Sequence, residues 1–173
     1  MARKANKHGG GAQTNVNGLA FEQNSSIIKM IKKQTNHIVN GNQILDNNGK
    51  LKAEFFEKHT FYKDFLVKKG VNYKTVISAK LLPDSVLVVG KKVYIIEMKY
   101  QNTSGSVAEK LQTCDFKKKQ YEKLCKPIGY KVEYIYLLND WFNQKVFDDV
   151  FKYINSVGCS YYIGALPLNI FSL

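Results

Sequence analysis

The segment from Leu81 to Lys99 constrains this chain more than any other. Two apolar runs, 85–89 and 92–101, flank the dipeptide Gly90-Lys91. Glycine in the first central position suits a two-residue type II′ hairpin turn. Folding the chain there sets Asp84 directly opposite Glu97, with Cβ atoms roughly 4.5–5.5 Å apart. Strand alternation keeps Lys99 on that face and sends Tyr94, Ile96 and Met98 to the other, toward a core. Two carboxylates side by side on a buried hairpin repel each other and are costly to desolvate. A divalent cation resolves the conflict, because Mg²⁺ favours one or two carboxylates completed by waters and phosphate oxygens. The Lys99 ammonium beside them is placed to hold a water or to stabilise charge building up on a phosphoryl group.

Charge points to the same chemistry. Among 173 residues, Lys and Arg number 26 against 14 Asp and Glu, a net charge of +12. Such an excess implies a polyanionic partner, nucleic acid first and an anionic membrane surface second. Lysine dominates the positive charge, which suits backbone phosphates more than base reading. No apolar stretch approaches the ~20 residues of a membrane span. The polar start Met1-Ala2-Arg3-Lys4 is unlike a secretory signal, so a cytoplasmic, intracellular protein with no membrane partner is expected. Cys114, Cys125 and Cys159 lack metal-ligand or disulfide spacing and are expected as reduced, packed thiols.

The pattern along the chain predicts one domain. Residues 1–16 are polar, Gly-rich and basic, a flexible arm ahead of a domain over 17–173. Helices are expected over about 17–33 and 51–69, the second stopped by Lys68-Lys69-Gly70. Strands follow over 75–82, 85–89 and 92–101. Ser106-x-x-Glu109 reads as a capping box opening a helix to about Leu124. A buried strand over 132–138, a helix over about 143–155 stopped by Gly158, and a strand over 160–163 complete the order. The fold class is α/β, with a mixed four- to five-stranded central sheet flanked by helices.

Pro83-Asp84 followed by Glu97-Met98-Lys99 resembles the motif of the PD-(D/E)xK nuclease superfamily, which includes most type II restriction endonucleases and Holliday-junction resolvases. Each dipeptide is common alone; the opposed register, the apolar strands and the charge make the combination informative. The resemblance implies a restriction endonuclease-like core and a Mg²⁺-dependent DNA endonuclease, with Mn²⁺ able to substitute. Asp84 and Glu97 would be metal ligands, the Met98 carbonyl would contribute to the metal site, and Lys99 would be the catalytic lysine. Glu22 is the candidate for a further acidic residue on the preceding helix; a solvated first-turn residue favouring the helix dipole is the alternative. Gln101 continues the Glu97/Lys99 face. Lys117, Lys118 and Lys119 form a candidate phosphate-binding run on the helix after the active strand. The leading expectation is a type II restriction-like enzyme cutting double-stranded DNA as a homodimer, since two-fold symmetry presents two sites to a duplex. A structure-specific repair nuclease or Holliday-junction resolvase is the second reading, and a non-catalytic basic nucleic-acid-binding protein the third.

Overall fold

The computed structural model describes Gly18, Phe21 and residues 27–173. Helix α1 (Ile27–Gln34) precedes strands β1 (Ile38–Asn40), β2 (Gln43–Leu45) and β3 (Leu51–Phe56). Helix α2 (Lys58–Thr60) runs straight into a π-helical turn (Phe61–Leu66) and a 3-10 turn (Val67–Lys69). The hairpin strands are β4 (Ser85–Val89) and β5 (Lys92–Lys99). Helices α3 (Val107–Leu111) and α4 (Cys114–Cys125) lead to β6 (Lys131–Leu138), and α5 (Asp148–Ser156) leads to β7 (Ser160–Ile163). Among the described residues no helix is long and apolar enough to cross a membrane.

The strands form one seven-stranded mixed sheet in sequence order. From β1 to β5 neighbours are antiparallel, and β5–β6 and β6–β7 are parallel. The α/β class therefore holds, but the sheet is wider than the four to five strands expected. The difference lies in residues 38–56. Ile38–Asn40 and Gln43–Leu45 form a hairpin around Gly41, whose φ is 58°. Leu51–Phe56 is a strand, not the start of a helix over 51–69. Its apolar residues are compatible with a helical stripe, but Leu51-Lys52-Ala53-Glu54-Phe55 also alternates with period two. That period prevails because β2 and β4 offer backbone partners on both sides.

The other departures have equally local reasons. Residues 75–82 contain no strand; a 3-10 turn (Tyr73–Thr75) opens an irregular run to Asp84. The edge of β4 that such a strand would need is already taken by β3, through Phe56 and Val86. Ser106 does not make the expected capping box: its backbone lies at φ −76°, ψ 22°, and its side chain makes no cap hydrogen bond. Side-chain capping favours an extended N-cap backbone. The helix expected from there to Leu124 is broken between α3 and α4, and that expected from 143 starts as a 3-10 turn before α5. The stops at Gly70 and Gly158 form as expected, with φ of 81° and 70°. Strand β6 and the short β7 also form as expected. All three cysteines are buried and unbridged.

Both sheet faces are covered, so β5 is buried continuously from Val93 to Met98. One core holds Val86, Val93 and Ile95 against Phe61, Phe65, Tyr121 and Tyr134. The other holds Leu87, Tyr94, Ile96 and Met98 with Ile27 and Ile31 of α1 and with Phe171. Parallel strands covered on both sides are expected to be near-continuously apolar. A carboxylate inside β5 therefore stands out.

Candidate active site

The hairpin forms with its anticipated register. Gly90 has φ 56°, Val89 pairs with Lys92, and Ser85 pairs with Ile96. One step beyond Ser85, the register brings Asp84 to Glu97. The Asp84 Oδ2 accepts a hydrogen bond from the Met98 N–H at 2.8 Å. Glu97 is only 5% exposed. Lys99 Nζ donates to Glu97 Oε2 at 3.0 Å and to the Met98 carbonyl at 3.0 Å, and lies 3.7 Å from Asp84 Oδ2. Two carboxylates and one backbone carbonyl thus converge on a single cationic nitrogen.

A second ammonium closes the cluster from α4. Lys117 Nζ lies 3.4 Å from Glu97 Oε1. Its neighbours in the lysine run go elsewhere. Lys118 donates to the Gly158 carbonyl at 2.7 Å, anchoring α4 to the end of α5. Lys119 pairs with Asp115 at 2.7 Å on the outside of α4. The run expected to face phosphates as a unit is therefore split by helical rotation, and only Lys117 reaches the carboxylates. The Gln101 side chain also turns away from the cluster, donating to the Thr103 carbonyl at 2.7 Å, and β5 ends at Lys99 rather than at 101. Glu22 and the 1–16 arm lie outside the described residues.

The segment carrying Asp84 is irregular but firmly held. The Leu81 carbonyl accepts from Tyr62 Oη at 2.8 Å and from Tyr121 Oη at 3.0 Å, and the Leu81 N–H donates to Tyr62 Oη at 3.1 Å. The Lys58 N–H donates to the Pro83 carbonyl at 2.9 Å. Lys58 itself sits at φ 42°, a region non-glycine residues rarely adopt. On the far side, Asn139 clamps the end of β5. Its Oδ1 accepts from the Gln101 N–H and its Nδ2 donates to the Gln101 carbonyl, both at 2.9 Å.

Tyr62, Tyr121 and Asn139 are not apparent from the motif. Helical spacing on α4 holds the one available signal: Cys114, Lys117, Tyr121 and Leu124 recur at three- and four-residue steps, so Lys117 stands within a buried stripe. Burial keeps Tyr62 and Tyr121 neutral donors. The Tyr62 hydroxyl is pushed up to about 12 by burial. Those of Tyr121 and Tyr134 are raised further, by burial first and by the charge of Glu97 next.

Burial also raises the Asp84 carboxyl above its ordinary range; Lys99 opposes this, Glu97 adds to it, and the Met98 N–H opposes it. A carboxyl whose folded pKa exceeds its unfolded value costs stability once pH rises through the unfolded value, and the full cost is present above the folded one. Asp84→Asn is therefore expected to raise the melting temperature near pH 7.5 in EDTA. The advantage should vanish below about pH 4, where the unfolded carboxyl is also protonated. Thermal melts at the two pH values check this, and a variant less stable at neutral pH would contradict it.

Among the described residues, no group of three or more His, Cys, Asp or Glu side chains is arranged to hold a metal. The donor set here is of another kind: two carboxylates and the Met98 carbonyl, all hard oxygens, already gathered around an ammonium. It fits a magnesium ion, which takes few protein ligands and completes its shell with water and substrate oxygens. No protein-family model matches the chain, and neither a curated protein nor a solved structure matches it.

Proposed function

We propose that this protein is a Mg²⁺-dependent DNA endonuclease, most simply one that cuts double-stranded DNA in the manner of type II restriction enzymes. The observation that carries this reading is the convergence of Asp84, Glu97 and the Met98 carbonyl on the Lys99 ammonium at one end of a buried hairpin. As a means of stabilising a fold, such a cluster is inefficient, because apolar side chains of similar volume often do as well or better. Its order on the chain also supports the resemblance to PD-(D/E)xK nucleases: an antiparallel pair β4–β5 carries the motif, and a helical crossover leads to the parallel strand β6.

In this reading Asp84, Glu97 and the Met98 carbonyl hold the ion, with Mn²⁺ able to replace Mg²⁺. The bound cation would neutralise charge on the scissile phosphate and lower the pKa of a coordinated water. Lys99 donates hydrogen bonds at the carboxylate edge, where it orients a water or stabilises negative charge developing on phosphate oxygens. Lys117 holds Glu97 from the helix side and presents a second positive charge to the phosphodiester. A homodimer would present two such sites to a two-fold-symmetric duplex.

The balance of charges sets a further expectation. Two ammoniums face two carboxylates, so Lys117 lowers the negative potential available to a metal. Lys117→Ala should bind Mg²⁺ several-fold more tightly, because an opposing charge a few ångströms away is removed. It should also cleave about tenfold or more slowly for loss of a charge-stabilising donor. Isothermal titration with Mg²⁺ and a cleavage time course separate the two effects. Unchanged Mg²⁺ affinity would show that Lys117 does not act on the carboxylates.

The paired charges also support a second reading, a non-catalytic nucleic-acid-binding protein in which Lys99 and Lys117 simply neutralise Asp84 and Glu97. Incubation of defined plasmid and four-way-junction DNAs with Mg²⁺ or with EDTA, followed by mapping of the ends, decides between them. Discrete plasmid fragments support the restriction-like reading. Cutting confined to junctions supports a resolvase. Binding without cleavage in either Mg²⁺ or Mn²⁺ supports the non-catalytic protein.

A further inference from the structure

The carboxylate cluster occupies one end of β5, and the other end carries a separate concentration of charge. Lys91 follows Gly90 in the hairpin turn, while Lys92 opens β5 and Lys131 opens β6. Lys92 and Lys131 are direct register partners, and the Lys131 N–H donates to the Lys91 carbonyl at 2.9 Å. The Lys91 and Lys69 ammoniums share the ring of Tyr130, at 4.5 and 5.3 Å from its centroid. These lysines and the nearby Lys126 are exposed. None of them makes an ion pair with a described residue.

Like charges directly opposite on paired strands destabilise a sheet, and nothing in the core requires lysine at positions 92 or 131. The Tyr130 ring holds two of the ammoniums in place by cation–π attraction, so the charge is concentrated rather than dispersed. A shallow cavity of about 460 Å³ lies among Lys91, Lys92, Lys131, Tyr94 and Phe171. From Lys131 a groove of about 1000 Å³ continues along α4 past Lys126, Lys123 and Lys119, with Glu122 and Glu133 as its acids. Seven residue steps separate Lys92 from Lys99, roughly 23 Å of strand. The hairpin end, with Lys91, Lys92 and Lys131, is therefore distinct from the carboxylate site.

We propose that this hairpin end of the sheet is a second nucleic-acid docking surface, which takes the sugar-phosphate backbone of a duplex without reading its bases. Lysine ammoniums with no arginine fork suit phosphates as point charges and carry little sequence information. The role needs no cleavage chemistry, so it stands whether or not the nuclease reading does.

The test is fluorescence anisotropy of a labelled 30-base-pair duplex in EDTA, across a series of salt concentrations. It compares the full chain with a Lys91→Gln/Lys92→Gln/Lys131→Gln variant and with a charge-matched control, Lys63→Gln/Lys145→Gln/Lys152→Gln. Losing three phosphate contacts should reduce the slope of log affinity against log salt by about 2.7 and weaken binding about tenfold or more near 100 mM salt. The control should stay within about twofold, and thermal melts verify that both variants fold, as surface changes of this kind normally allow. Equal weakening of the two variants would overturn the proposal, because net charge alone would then explain binding. Unchanged binding by the first variant would overturn it too, as would patch-dependent sedimentation with phosphatidylserine vesicles and no patch-dependent duplex binding. Because no divalent ion is present, these outcomes are independent of any failure to cleave.

Discussion

Glu97→Gln is expected to lower DNA cleavage by about 10²–10⁴-fold, the range lost when a positioned catalytic group is removed. Glu97 is the hub of the cluster, with Lys99 on Oε2 at 3.0 Å and Lys117 on Oε1 at 3.4 Å. The substitution keeps the side chain's volume and an acceptor oxygen while deleting the charge that both ammoniums share and that the proposed cation would use. The fold should survive, because the side chain ends in a polar cluster rather than in the packed core. Cleavage assays alongside circular-dichroism melts check both halves. Wild-type cleavage by a folded Glu97→Gln protein would overturn the active-site assignment. Asp84→Ala and Lys99→Ala are expected to abolish cleavage likewise, since each leaves the convergent set incomplete.

The second large effect is on stability. Tyr121→Ala should destabilise the protein by about 3–5 kcal/mol, the range for truncating a large buried aromatic. Tyr121 is fully buried, its ring 6.0 Å from Phe61 and 6.4 Å from Tyr134, and its hydroxyl holds the Leu81 carbonyl. A domain of this kind has roughly 5–15 kcal/mol in total, so about a fifth or more would be lost. Tyr121→Phe should cost only about 1 kcal/mol, because Tyr62 still donates to the same carbonyl. The double variant Tyr62→Phe/Tyr121→Phe leaves that carbonyl without either donor and loosens the segment leading to Asp84, which keeps its hold from the Lys58 N–H on Pro83. Cleavage should then fall further than in either single variant while the double variant remains folded at the assay temperature. Urea unfolding gives the stabilities. Additive, small effects on cleavage would show that the tyrosines stabilise the core without positioning Asp84.

The elements legible in the sequence are those set by near neighbours along the chain. Gly90-Lys91 between two apolar runs implies a two-residue hairpin, and a hairpin turn determines which residues face each other. That is why Asp84 and Glu97 meet as expected, with Lys99 beside them. Gly70 and Gly158 end helical turns because left-handed backbone conformations are accessible to glycine at little cost. The apolar run Tyr134-Ile135-Tyr136-Leu137-Leu138 of β6 signals burial on both faces.

What the tertiary structure alone decided depends on partners distant in sequence. Leu51–Phe56 is a strand because β2 and β4 flank it, a fact invisible to a pattern compatible with two periods. Residues 76–84 stay irregular because β3 occupies the edge they would need, and two tyrosines hold their carbonyl instead. Rotation about α4, packed on the sheet, sends Lys117 to Glu97 while Lys118 turns to Gly158 and Lys119 to Asp115. Backbone turns and strand alternation are local and can be read residue by residue. Which edge is free, and which lysine points inward, is settled only when the layers pack.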